Sequence, residues 1–162
     1  MPLITVDGFR EDPFASLADD APLPDGAVLV SLARFQAERD ALIARNAPIG
    51  VRLKSDQSPE LLGEDVHRLS LVALEFPKFR DGRAFSWARL LRTRLGFAGE
   101  VRATGDFLYD QIAYQRRVGF DAWEVADGFT PDEFHRALNE ISNVYQPSAD
   151  GRKTIRQLRA FA

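Results

Sequence analysis

Arg52, Lys54, Lys78, Arg80, Asp81, Arg83, Arg102 and Asp106 are the residues whose types and spacing could do chemistry in this chain. They fall in three short runs: Arg52-Leu53-Lys54, Lys78-Phe79-Arg80-Asp81-Gly82-Arg83, and Arg102-Ala103-Thr104-Gly105-Asp106. Guanidinium forks and ammonium groups gathered at one edge suit a carboxylate, a sulfate-like or a phosphate group, or the acidic surface of another protein. Each residue also has a structural use. Arg102 could form a buried ion pair with Asp106 or Asp110, and Lys78 and Arg80 could belong to a solvated loop. Asp81-Gly82 could make a tight turn, and Asp106 could be a helix N-cap. Phe76, Phe79 and Phe85, interleaved with these charges, suit a core better than a stacking platform.

Other chemistries lack their residues. There is no cysteine, so disulfides, thiol catalysis and cysteine-ligated clusters are out. No G-x-G-x-x-G, P-loop or G-x-S-x-G run occurs. His67 and His135 are far apart and neither has a partner at metal-ligand spacing. His67 reads as structural and His135 as a helix-surface residue. No cofactor or metal is expected, and no Asp, Glu or Tyr stands out as a proton-transfer group.

The elements that must position the charged runs alternate in type. Residues 3–6 read as a short strand, and 7–26, rich in Asp and Pro, as an irregular acidic arm. A strand at 27–30 leads to a helix capped by Ser31 that runs to about Arg45. A strand follows at 48–53, then a short helix from Ser58 to about Asp65. Residues 69–76 are nearly all apolar, the pattern of a strand buried on both faces of a parallel sheet. A helix starting near Ser86 ends at Gly96, with Trp87, Leu91 and Leu95 as its stripe. Strand 100–104 turns through Gly105-Asp106 into a helix reaching Arg117, closed by Gly119. Strand 121–125 precedes a helix with the capping box Thr130-Pro131-Asp132-Glu133, and a last short helix covers 154–161.

Strand–helix alternation with short connections predicts successive βαβ units on a mainly parallel sheet. A closed eight-unit barrel needs about 250 residues, and the chain has 162. An open sheet or a half-barrel therefore fits, with a domain at 27–147 between the arm (1–26) and a basic tail (148–162). In such sheets ligands sit beyond the carboxyl ends of the strands, where all three charged runs emerge. A half-barrel leaves a sheet edge and apolar surface to cover, which makes a homodimer a reasonable expectation.

The net charge of −3 is unevenly placed. Residues 1–25 carry −5, residues 78–102 carry +5, and residues 150–159 carry +3. Such segregation can steer an acidic partner. The overall acidity and lack of a recognition motif speak against nucleic acid. No apolar run approaches the roughly 20 residues that span a bilayer, and residues 1–14 do not read as a signal peptide. A cytoplasmic protein is the expectation.

Four segments carry a resemblance: GVRLKSDQSPELL, FPKFRDGRAFSWARLLR, VRATGDFLYDQIAYQRRVGFDAWEV and FHRALNEISNVYQPSADGR. They make the chain similar to an uncharacterised bacterial domain-of-unknown-function family whose members bear an oxidoreductase label tied to sulfite reduction. Those members are encoded beside the sulfite reductase haemoprotein and phosphoadenylylsulfate reductase of sulfur assimilation. The resemblance implies a role near sulfite reduction and brings no catalytic residues. Two functions follow as expectations. One is an accessory protein that binds sulfite reductase or its acidic electron donor through the basic face. The other is a small enzyme or anion-binding domain with its site at the strand ends.

Overall fold

A computed structural model describes residues 1–160. Its eight strands are β1 (Leu3–Thr5), β2 (Gly8–Arg10), β3 (Ala15–Ser16), β4 (Val28–Ser31), β5 (Ile49–Leu53), β6 (Leu71–Phe76), β7 (Glu100–Gly105) and β8 (Ala122–Glu124). They form one sheet in the order β2-β1-β8-β7-β6-β5-β4-β3. From β3 to β8 each strand pairs in parallel with the next in sequence. Crossovers that always step the same way, with one hand, stack their helices on one face. The sheet curls as half of a β/α barrel and stays open. β1 and β2 extend the β8 edge as an antiparallel hairpin.

Side-chain alternation divides the strands between two faces. Cross-strand rungs on the helix-covered face read Val30–Val51–Val72–Val101 and Leu53–Leu74–Ala103–Trp123–Ile4. All these residues belong to the main core, together with Phe35, Leu42, Ala88, Leu91 and Phe134 from the helices. Burying each Val or Leu is worth about 1.5–3 kcal/mol, which is why the β-branched and leucine-rich runs set the strands. Trp123 packs edge-on to Phe134 at 5.0 Å and donates its indole N–H to Gln115 at 2.7 Å.

The opposite, concave face carries the rungs Leu29–Gly50–Leu71–Glu100 and Ser31–Arg52–Ala73–Arg102–Ala122–Thr5. The N-terminal segment crosses this face, so the irregular acidic arm expected at 1–26 is corrected. After the hairpin at one edge the chain passes over the sheet and becomes β3 at the other edge. Phe14 packs on Leu29, Leu71 and Ala73, and Asp12 reaches Arg102. The acidic composition misled because Asp12 and Asp19 are used internally: Asp19 accepts the Ser31 hydroxyl at 2.6 Å.

The helices are α1 (Leu32–Ala37), α2 (Arg39–Ile43), α3 (Arg83–Thr93), α4 (Ile112–Val118), α5 (Pro131–Asn139) and α6 (Ile155–Arg159). Helical turns of 3-10 type cover Pro59–Arg68 and Tyr109–Gln111. Ser31 caps α1 by accepting the Arg34 N–H at 3.0 Å. The single helix expected to Arg45 breaks at Glu38, because the apolar stripe lapses at Glu38-Arg39 between Phe35 and Leu42. α3 starts at Arg83, three residues before Ser86, since Asp81 accepts the Arg83 N–H. α4 starts at Ile112 rather than after Asp106, whose carboxylate is engaged elsewhere. Gly119 closes α4 as the sequence predicts, while α3 ends at Thr93, with Gly96 at positive φ two residues beyond its Arg94 cap. α5 carries the expected Thr130–Glu133 capping box. The last expected helix, 154–161, is seen as α6, and Phe161 lies outside the described residues.

Candidate functional site at the carboxyl ends of the strands

The three charged runs do not stay together. Arg102 sits mid-strand on the concave face and is fully buried. It bonds Asp12 at 2.6 and 3.0 Å, Glu100 at 2.9 Å and Glu124 at 3.4 Å, and its guanidinium lies 5.8 Å from the Phe14 ring. Neither Asp106 nor Asp110 is its partner. Burial works against its charge, but the Asp12 and Glu100 carboxylates outweigh it and raise its pKa. Arg52, on the same rung, donates to the Ser16 hydroxyl of β3 at 3.1 Å. Both arginines hold the N-terminal segment on the sheet and lie below the strand ends.

The other residues gather at the edge. Leu53 pairs with Leu74, so Lys54 follows β5 beside Glu75 of β6, and Glu75 pairs with Thr104 of β7. Arg83, at the start of α3, donates to Asp81 at 2.6 and 2.9 Å and to the Ser55 hydroxyl at 2.8 Å. Its guanidinium holds the Asp81 carboxyl well below the usual carboxylate range. Trp87 fixes the Ser55 carbonyl with its indole N–H at 2.9 Å. A cavity of about 320 Å³ opens between these groups, lined by Lys54, Ser55, Asp56, Glu75, Pro77 and Arg83.

The Lys78–Asp81 loop is tied down from both sides. The Asp81 N–H closes a turn onto the Lys78 carbonyl at 2.8 Å. Asp106 accepts the Phe79 N–H at 3.4 Å, and Gln111 donates to the Phe79 carbonyl at 2.9 Å. Asp106 is therefore a loop tie and not a helix cap. Lys78 and Arg80 are exposed, with the Arg80 guanidinium 5.3 Å over the Phe79 ring. Neither has an acidic partner among the described residues.

The edge is consequently balanced and not simply basic. Asp56, Glu75, Asp81 and Asp106 are interleaved with Lys54, Lys78, Arg80 and Arg83. Sequence reasoning missed Glu75, Ser55, Trp87 and Gln111. Glu75 had a signal, since it is the one charged residue inside the apolar run 69–76. Ser55, Trp87 and Gln111 act through contacts distant in sequence and had none. Among the described residues no group of three or more His, Asp or Glu side chains could hold a metal ion, and no helix is long and apolar enough to cross a membrane.

A family model described as a bacterial protein of unknown function (DUF934) matches residues 50–156. The chain belongs to this family. No curated protein and no solved structure matches it. The DUF934 match starts within β5 and includes the whole edge just described. The segment that covers the concave face, with Asp12, Phe14 and Ser16, lies outside the match, while Arg52, Leu71, Ala73 and Arg102 beneath it lie inside.

Proposed function

We propose that this DUF934 protein is a cytoplasmic accessory protein of assimilatory sulfite reduction. It binds the sulfite reductase haemoprotein or that enzyme's acidic electron donor through the loop Lys78-Phe79-Arg80. The observation that carries the reading is this loop's state: two exposed cations without acidic partners flank an exposed ring, on a backbone tied at Phe79 from both sides. A cation–aromatic pair on a fixed backbone has the composition of an interface centre and loses little entropy on binding. Leu108 and Tyr109, both exposed, sit on the segment that Gln111 ties to the loop and add apolar area beside it. A lone small anion suits the edge less well, because Asp56 and Glu75 line its cavity and like charges oppose each other there.

Direct binding tests the proposal. The purified chain is titrated into the haemoprotein, and separately into an acidic ferredoxin-type donor, at low and high salt. A complex that weakens as salt rises is expected, because exposed charges are screened. The double reversal Lys78→Glu/Arg80→Glu should weaken it about tenfold or more while leaving thermal unfolding unchanged. Absence of a complex with both partners at low salt, or indifference to the reversal, removes the proposal.

A further inference from the structure

The N-terminal segment fills the concave face only in part. Phe14 covers the rung of Leu29 and Leu71, and Asp12 and Ser16 cover the rung of Arg52 and Arg102. The next level toward the carboxyl ends, where Lys54 follows β5 and Glu75 pairs with Thr104, is left for the cavity of about 320 Å³. This is the position at which parallel βα sheets hold ligands, beyond the carboxyl ends of adjacent central strands. The volume lies at the small end of ligand sites, roughly 300–1,000 Å³, so the occupant is a small metabolite.

The charges choose its class. Lys54 brings an ammonium, and Glu75 and Asp56 bring carboxylates; none of the three has a side-chain hydrogen bond or ion pair among the described residues. The surrounding wall is already satisfied and rigid. Ser55 is buried, its hydroxyl held by Arg83 and its carbonyl by Trp87, while Asp81 occupies two of the Arg83 donors. Lys54 and Glu75, unpaired and of opposite sign, therefore face one space across a fixed floor, with Asp56 beside the Arg83 guanidinium. A plain anion would meet Glu75, and a plain cation would meet Lys54 and the Arg83 guanidinium, whose charge also reaches Asp56. A molecule carrying both charges answers both.

We propose that this cavity binds a small zwitterion of the amino-acid type, its carboxylate on Lys54 and its ammonium on Glu75, with Asp56 at the rim. The site goes beyond the docking role and uses none of the loop cations Lys78 and Arg80, so either proposal can fail without the other.

Amide-resolved NMR titration of the intact chain, which at 18.2 kDa is well suited to it, tests the site. The probes are L-alanine, L-serine and L-methionine, each beside its N-acetyl form (anion only) and its α-amide (cation only). Free amino acids should shift the amides of Lys54, Ser55 and Glu75, and both blocked forms should bind about tenfold or more weaker. Lys54→Met and Glu75→Gln should each weaken the free amino acid by a similar factor without lowering thermal stability, since neither side chain has an internal partner. Three results overturn the proposal: no shifts up to about 10 mM of any probe, N-acetyl forms binding as well as the free amino acids, or α-amides doing so.

Discussion

Asp12 and Arg102, ninety positions apart in the chain, form a two-point ion pair: Nη1 to Oδ2 at 2.6 Å and Nη2 to Oδ1 at 3.0 Å. The pair fastens the N-terminal segment to the middle of the parallel sheet. Without it the half-barrel's concave face would open to water beside Leu29, Leu71 and Ala73. The same guanidinium also separates Glu100 and Glu124, which approach it from its own strand and from β8. One buried cation thus serves three carboxylates on three segments.

Removing that cation should be among the most damaging single changes. Arg102→Met keeps an unbranched apolar stem but leaves the partly exposed carboxylates of Asp12, Glu100 and Glu124 facing one another without their cation. Breaking a buried pair from one side costs about 3–5 kcal/mol, and because the carboxylates left behind keep some contact with water, urea unfolding should report a loss toward the low end of that range. Arg10, which pairs with Glu100, offsets part of it. A loss below about 1 kcal/mol, the range of surface pairs, would show that the network is solvated.

Acid should loosen the N-terminal segment. Burial alone would raise the Asp12 pKa, but its hydrogen bonds to Arg102 and to the Phe14 N–H outweigh burial and hold it below the ordinary value of 3.8. A carboxyl depressed in the folded state stabilises the fold above its unfolded pKa, and that contribution fades as pH falls through the folded value. Between neutrality and about pH 4 the segment should therefore stay in place, and below that it should release. The Phe14 amide, bonded to Asp12 at 3.0 Å, is the reporter. Its hydrogen-exchange protection should drop on acidification, and Asp12→Asn should lower it already at neutral pH. Protection unchanged from pH 7 to 3 would contradict the assignment.

Much of the fold was legible because it is written in local terms. The apolar run 69–76, Gly96 and Gly119 after helix ends, and the Thr130–Glu133 box each act within a few residues. What the sequence hid were partnerships at long range. The Asp- and Pro-rich N-terminus looked like surface because nothing nearby in sequence says that Asp12 meets Arg102 or that Phe14 meets Leu71. The site was half legible for the same reason. Lys54, Lys78, Arg80, Asp81 and Arg83 do emerge at the strand ends, but Arg52 and Arg102 lie a rung lower. That rung follows from strand register, which residue counting does not supply. Glu75 was within reach of the pattern, a lone charge in an apolar strand at its carboxyl end.

Gly105 offers a test of the loop geometry that supports the docking role of Lys78 and Arg80. It ends β7 with φ +92°, a region that L-residues seldom adopt. A Cβ there would also press into the Phe76 carbonyl oxygen, which accepts the Asp106 N–H at 2.7 Å. Gly128 is the control: its φ is +89°, but a Cβ there meets nothing within 4 Å. Backbone strain at a positive φ costs about 1–3 kcal/mol, and both Gly→Ala changes should show it in urea unfolding. Gly105→Ala should cost measurably more than Gly128→Ala, since only it must push β7 away from β6. That displacement would also pull Asp106 from Phe79, so the amides of Phe79 and Arg80 should lose protection in Gly105→Ala alone. Equal losses for the two variants would mean that β7 and the loop move apart freely, and that Lys78 and Arg80 are not held in one place.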